Sequence, residues 1–322
     1  MRRRHLAALF SAAMLSAVTA RAQPQAAGTI RMVVPFPPGG ASDVIGRIVA
    51  EQMRDRLGMP VVVDNRAGAS GNIGADIVAK ARPDGLTLLL ASASTHGINP
   101  TLMARMPFDS RRDFTPVSLV VMVPTILVVT ASLPVRNVDE LIAHARANPG
   151  KLNYGSVGNG TTQHLAGVML RERTGVDMVH VPYRGQNLLV PELTTGQIHL
   201  VFNNIAAVRA GIEAGQLRAL AVALPERWPT LPNVPTFAEA GLQDFQVSSW
   251  LALLGPAGMA AGTAESYAAA VRAAVADRDV RARLIQAGGL PIGSAPAETE
   301  SFIHNEIRSW GRVVRAAGVR VE

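Results

Sequence analysis

Two glycine-rich segments concentrate the polar chemistry of this 322-residue sequence. The first reads Pro35-Phe36-Pro37-Pro38-Gly39-Gly40-Ala41-Ser42-Asp43, the second Gly155-Ser156-Val157-Gly158-Asn159-Gly160-Thr161-Thr162-Gln163-His164. Each joins the end of a β-like run to the start of a helix-like run, which is where open α/β sheets receive ligands. Glycine lets backbone N–H groups approach a ligand, and a helix N-terminus adds unpaired donors and partial positive charge. The candidate contacts are Phe36, Pro37, Gly39, Gly40 and Ser42 from the first loop, and Ser156, Gly158, Gly160, Thr161 and Thr162 from the second. Neither loop carries Lys or Arg, so an anion held here is gripped by neutral N–H and O–H donors. Hydrogen bonds to a charged group contribute about 1.5–3 kcal/mol each. Four or five of them, less the cost of closing the site, reach about −8 kcal/mol, the micromolar range. One such loop alone reads as a tight turn; two favour a ligand site. Asp43 serves equally as a capping carboxylate or as a ligand contact. Replacing Gly40 or Gly160 by a β-branched residue is expected to abolish binding and spare the fold.

A third loop, His180-Val181-Pro182-Tyr183-Arg184-Gly185, supplies Arg184 for bidentate contact with a carboxylate and Tyr183 as a wall. Arg184 reads equally as a solvated arginine on a surface turn. Ser92-Ala93-Ser94-Thr95-His96 forms a further polar rim, with Thr95 as its candidate contact. Catalytic patterns fail in turn. Gly68-Ala69-Ser70-Gly71 is not the nucleophile elbow G-x-S-x-G, and no Walker or dinucleotide motif follows a strand. The histidines show no metal spacing, and His164 reads as a loop-orienting group rather than a base. No catalytic residue, metal or cofactor is expected.

The elements that hold these loops follow from periodicity. Residues 30–34, 61–63, 86–90 and 118–123 read as strands, and 44–57 as a helix with Ile45, Ile48, Val49, Met53 and Leu57 on one face. Strands at 152–154, 178–181, 198–202 and 217–222 then alternate with helices at 138–148, 163–174 and 188–195. Residues 225–235 form a proline-rich surface excursion, 247–254 one more apolar run, and 264–279 and 297–316 two closing helices. Apolar strands alternating with helices predict an α/β fold of two lobes, each a mostly parallel sheet flanked by helices. The expected division is 23–124 with 250–322 as lobe 1, and 125–249 as lobe 2, with the ligand cleft between them.

Residues 1–22 read as a cleaved secretory signal: Arg2–Arg4, the apolar stretch 6–18, then Ala20-Arg21-Ala22. Arg3-Arg4 leaves the twin-arginine and general export routes both open. The chain has no cysteine, hence no disulfide and no lipid-modified thiol, and the mature product is expected to be soluble in the periplasm. Charged residues are 17% and hydrophobic residues 48%, which excludes a disordered chain. The net charge is +7; without Arg2, Arg3, Arg4 and Arg21 it is +3, spread without a basic block, so nucleic acid is not an expected partner.

The ordered set Val33-Val34-Pro35-Phe36-Pro37-Pro38-Gly39-Gly40 with Asp43, Asn65-Arg66-Ala67-Gly68-Ala69-Ser70-Gly71-Asn72-Ile73-Gly74, Pro83-Asp84-Gly85, the second loop, His180-Val181-Pro182-Tyr183-Arg184-Gly185 and Leu217-Arg218-Ala219-Leu220-Ala221-Val222 resembles the Bug receptors. These are the periplasmic solute-binding proteins of the tripartite tricarboxylate transporter family. The resemblance implies a type II periplasmic-binding, Venus-flytrap fold. It also implies that the loops at Phe36–Asp43 and Ser156–Thr162 close on a carboxylate through backbone amides, hydroxyls and waters. The implied partners are a di- or tricarboxylate or aromatic acid and the subunits of a membrane permease, with the receptor itself a monomer. Where the family often has aspartate, this chain has Asn203, and Gln186-Asn187 follows Gly185 in place of small residues. Asn203 thereby points to an acid without an amino group. A periplasmic sensor for a membrane signalling protein is the alternative reading; an exported hydrolase or lyase is a third.

Overall fold

The computed structural model describes residues 28–245, 247–316 and 318. The expected signal at 1–22 lies outside them. The described residues open with strand β1 (Ile30–Val34), helix α1 (Ala41–Leu57), β2 (Val61–Asn65), α2 (Asn72–Ala79), β3 (Thr87–Ser92) and the short α3 (Asn99–Leu102). α1 turns Ile45, Ile48, Val49 and Met53 into the core. Gly58 ends it at φ 64°, a left-handed conformation that only glycine takes at little cost, its N–H bonded to the Arg54 carbonyl.

A 17-residue strand, β4 (Phe114–Thr130), then crosses the molecule. The expected strand stopped at residue 123 because Pro124 lacks an N–H; β4 instead runs through both Pro116 and Pro124. Register shifts relax the ladder beside Pro116, and Pro124 falls where β4 exchanges one set of neighbours for another. Such irregular points tolerate a missing donor.

There follow α4 (Val138–Ala147), β5 (Leu152–Ser156), α5 (Thr162–Thr174), β6 (Met178–Pro182), α6 (Gln186–Thr195), β7 (Leu200–Asn204), α7 (Ile205–Glu213) and β8 (Leu217–Val222). Returning through β9 (Ser248–Pro256), the chain closes with α8 (Ala261–Ala276), α9 (Arg278–Gln286), β10 (Leu290–Pro291) and α10 (Pro296–Ala316). The strand order is β2-β1-β3-β9-β4-β7-β5-β6, with β8 and β10 also on β4. The fold is the expected two-lobed α/β type, but its sheets are mixed rather than mostly parallel. β1 is parallel to β2 and β3, and β5 to β6 and β7. β4 and β9 run antiparallel to every neighbour, because they cross between lobes in opposite directions.

α10 packs on both lobes. Trp310 and Val314 join a buried cluster with Ile98, Leu102, Tyr154, Leu165 and Leu170, while Ile303 packs with Trp250, Phe108 and Phe114. Between these groups the Glu306 carboxylate accepts from Trp250 Nε1 at 2.7 Å and Trp310 Nε1 at 2.9 Å. Burial raises its pKa above the ordinary glutamate value, against the two indole donors. A raised acid pKa means that the folded chain binds this proton more tightly than the unfolded one. The contribution of Glu306 is therefore most favourable at low pH and is lost as pH rises past about 4.3. Glu306→Gln keeps an acceptor for both indoles without the charge. Its expected effect is a gain in stability at pH 7 and a flatter stability profile as pH rises past about 4.3, read by chemical denaturation.

Candidate functional site

A cavity of about 520 Å³ opens between the two lobes. Its first wall is the loop from Phe36 to Ser42, its second Val157 with Thr161, Thr162 and Gln163, its third Arg184 to Asn187. Ser92 and Ser94 line it from the end of β3, and the crossing strands contribute Val123, Pro124, Thr125 and Ser249. Asn204 completes the lining.

Four helices start at this wall: α1 after Gly40, α5 after Thr161, α6 after Gly185 and α7 after Asn204. The first N–H groups of a helix have no intrahelical acceptor, and they carry its partial positive charge. Thr161 caps α5 by accepting from the His164 N–H at 3.4 Å, and Asn204 caps α7 by accepting from the Ala206 N–H at 2.8 Å. The lining contains one guanidinium, Arg184, and no carboxylate. Among the described residues Arg184 has no ion-pair partner within 4.0 Å. Helix N-termini, hydroxyls, amides and one free cation form a field suited to an organic anion.

Of the sequence candidates, Phe36, Pro37, Gly39, Gly40, Ser42, Thr161, Thr162 and Arg184 line the cavity. Asp43, Thr95, Ser156, Gly158, Gly160, Tyr183 and Asn203 do not; they stand behind the walls and hold them. Asp43 accepts from the Gly39 N–H at 2.9 Å and Asn65 Nδ2 at 3.1 Å, and pairs with Arg47 at 3.0 Å. Burial pushes its pKa up, but the hydrogen bonds from Arg47, Gly39 and Asn65 outweigh this and hold it below the ordinary aspartate value. Thr95 spends its hydroxyl on the Ser92 backbone and on His96 Nδ1, 2.9 Å away. Ser156 Oγ meets the Gly158 N–H at 3.1 Å, the Gly158 carbonyl at 3.0 Å and His180 Nε2 at 2.7 Å. Tyr183 donates its own N–H to the Ser156 carbonyl and is packed, partly buried, against the core cluster that includes Ile126, Leu189 and Val201.

Gly160 also departs from expectation. Its N–H goes to His164 Nδ1 at 3.1 Å rather than to the cavity. A Cβ here would fall 1.8 Å from Leu102 Cδ2, so this glycine admits a neighbouring side chain, not a ligand. His164 therefore orients the loop, as read from the sequence. It stacks on His180 with ring centroids 4.0 Å apart, and burial lowers both pKa values to about 4, so both rings are neutral at pH 7.

Asn203, fully buried at the end of β7, is an amide hub. Its Oδ1 accepts from Gln163 Nε2 at 2.7 Å, Gln186 Nε2 at 2.9 Å and the Asn204 N–H at 2.8 Å, while its Nδ2 donates to Gln186 Oε1 at 2.8 Å. Gln163 Oε1 in turn accepts from the Val157 N–H at 2.8 Å. The hub thus fixes Gln163 and Gln186 in the wall of the cavity. Sequence reasoning singled out Asn203 and Gln186 separately. It missed Gln163, Thr125, Asn204 and Ser249 as lining groups; the Pro124-Thr125 junction on an apolar run was the available signal for one of them.

Comparisons with known proteins agree with this geometry. The model of the tripartite tricarboxylate transporter family receptor matches residues 45–319. BugT of Bordetella pertussis is 38% identical over 97% of this chain and 94% of its own. The structure of R. palustris Rpa4515 with adipate superposes with a TM-score of 0.86 at 36% identity, covering 91% of this chain and 98% of that one. MatC from Rhodopseudomonas palustris with bound malate gives 0.81 at 32% identity, over 89% and 98%. With its mixed two-lobed sheet and inter-lobe cavity, this chain belongs to the tripartite tricarboxylate transporter family of receptors and is a Bug-type solute-binding receptor.

Proposed function

We propose that the chain captures a dicarboxylate in the inter-lobe cavity and delivers it to a membrane permease, without chemical turnover. The observation that carries this reading is the composition of the cavity wall: four helix starts and Arg184, with no carboxylate. One carboxylate sits between the N–H groups that open α1 and α5, with the hydroxyls of Ser42 and Thr162 beside it. The second meets Arg184 and the start of α6, with Gln186 as donor. Two relatives of the same fold carry adipate and malate, both acids with two carboxylates and no amino group. The neutral hub at Asn203 supports the same exclusion, since it offers no anion to a ligand ammonium.

The receptor works in the periplasm as a soluble monomer after loss of residues 1–22; among the described residues no helix is long and apolar enough to cross a membrane. Its lobes divide near residues 124 and 250.

Calorimetric titration against adipate, malate, citrate, benzoate and glutamate tests the proposal. Micromolar binding of at least one dicarboxylate is expected, with glutamate weaker by tenfold or more. Binding of glutamate alone refutes it. Arg184→Ala is expected to weaken the dicarboxylate about tenfold to fiftyfold, with a smaller loss for a monocarboxylate of similar length.

A further inference from the structure

The turn that precedes α2 is built in a conformation its residues disfavour. Gly68, Ala69, Ser70 and Gly71 take φ angles of 131°, 46°, 53° and 93° in succession. Two of them carry a Cβ, and non-glycine residues avoid this region unless their surroundings enforce it. Strain of this kind persists where it serves a purpose.

The surroundings of the turn are specific. Ser70 Oγ donates across the cleft to the Asn159 carbonyl at 3.3 Å. Asn99 Nδ2, on α3, donates to the Ser70 carbonyl at 3.3 Å and to Asn72 Oδ1 at 2.8 Å. One helical turn further, Leu102 fills the space above Gly160, where a Cβ would fall 1.8 Å from its Cδ2. Asn99 and Leu102 are both fully buried. On its other side the turn backs the first wall, since a Cβ on Gly71 would lie 3.5 Å from the ring of Phe36. The turn therefore touches one cavity wall from behind and holds the loop that continues into the other at Thr161.

We propose that Ser70, Asn99 and Leu102 form a clasp on Asn159 and Gly160 that holds the two cavity walls together and sets how long a ligand is retained. Ser70 is a positioning residue in this account, because it acts through the second loop rather than on the ligand. The retention claim rests on the cavity being the ligand site; the clasp itself does not, so it is tested first without ligand.

Hydrogen–deuterium exchange is compared for the wild type, Ser70→Ala and Ser70→Asn, all ligand-free. Asparagine tolerates the left-handed region and carries an N–H donor, so it replaces the serine in both respects. In Ser70→Ala the amides of residues 157–163 are expected to exchange about fivefold faster, the effect of one lost hydrogen bond, with the melting temperature of the whole chain unchanged. In Ser70→Asn they are expected to exchange within twofold of the wild type. Unchanged exchange in Ser70→Ala overturns the clasp. So does Ser70→Asn exchanging as fast as Ser70→Ala, or acceleration spread evenly over the chain. In a second arm, stopped-flow release of adipate is expected to be about fivefold faster from Ser70→Ala, with association unchanged. Release from Ser70→Ala at the wild-type rate overturns the retention claim. Malate replaces adipate if adipate does not bind, and failure of both counts against the dicarboxylate reading while the exchange comparison still decides the clasp.

Discussion

Valine in place of Gly160 is expected to lower the melting temperature by roughly 3–8 °C, read by calorimetry or circular dichroism. Two costs add. Gly160 sits at φ 75°, where a β-branched residue pays about 1–2 kcal/mol. The new side chain also begins 1.8 Å from Leu102 Cδ2 in a packed seam, and overpacking costs about 1–3 kcal/mol more. Ligand binding is lost with the fold of the second loop, and not because a backbone approach to the ligand is blocked. The contrast is Gly40→Val. Gly40 has an ordinary φ of −82°, and its Cβ would find only the Pro37 carbonyl, 3.9 Å away. That variant should melt within about 2 °C of the wild type while crowding the first cavity wall. A Gly160→Val protein as stable as the wild type would disprove the Leu102 contact.

Asn203→Asp is expected to weaken a bound dicarboxylate about fiftyfold at pH 7 in calorimetric titration. The donors on Oδ1 from Gln163 Nε2 and the Asn204 N–H can remain, and they favour ionisation of the new side chain. A fixed negative charge then stands behind the wall that faces the ligand. Two unit charges about 7 Å apart at an effective dielectric near 20 repel by about 2.4 kcal/mol, close to a factor of fifty. The second oxygen would oppose Gln186 Oε1 in place of the present Nδ2 donor, so the Gln186 amide must turn over. Glutamate should lose less, because its ammonium gains an anion nearby. Equal dicarboxylate affinity in the two proteins would remove Asn203 from the specificity of the site.

The fold was legible where periodicity and punctuation agreed. α1 shows a helical stripe closed by Gly58 and Pro60, and the two glycine-rich loops mark where strands hand over to α1 and α5. Legibility failed where one residue did two jobs. Asp277 ends α8 and caps α9, accepting from the Asp279 and Val280 N–H groups at 3.0 Å, so two helices read as one followed by a loop. α7 starts directly at the end of β7 with Asn204 as its cap, leaving no loop to announce it. Pro124 reads as a stop and is a crossing point.

For the site, residue types located the loops but not the direction in which each donor points. Serine, threonine and aspartate bond their own loop as readily as a ligand, and Asp43, Thr95 and Ser156 do so. The hub joins positions 163, 186 and 203, from three separate elements, and that conjunction exists only once β5, β6 and β7 lie side by side.

Because β4 belongs to both sheets, the change from one set of partner strands to the other falls inside a continuous strand. Up to Pro124 the strand pairs with β9; from Thr125 it lies between β7 and β8, which have no ladder with each other. A break beyond Thr130 takes the middle strand from β7 and β8 and leaves β8 with no partner strand, whereas a break at residue 124 leaves residues 125–130 with both. Split reporters and recombined receptors built on this scaffold therefore need residues 125–130 kept on the same piece as β7 and β8.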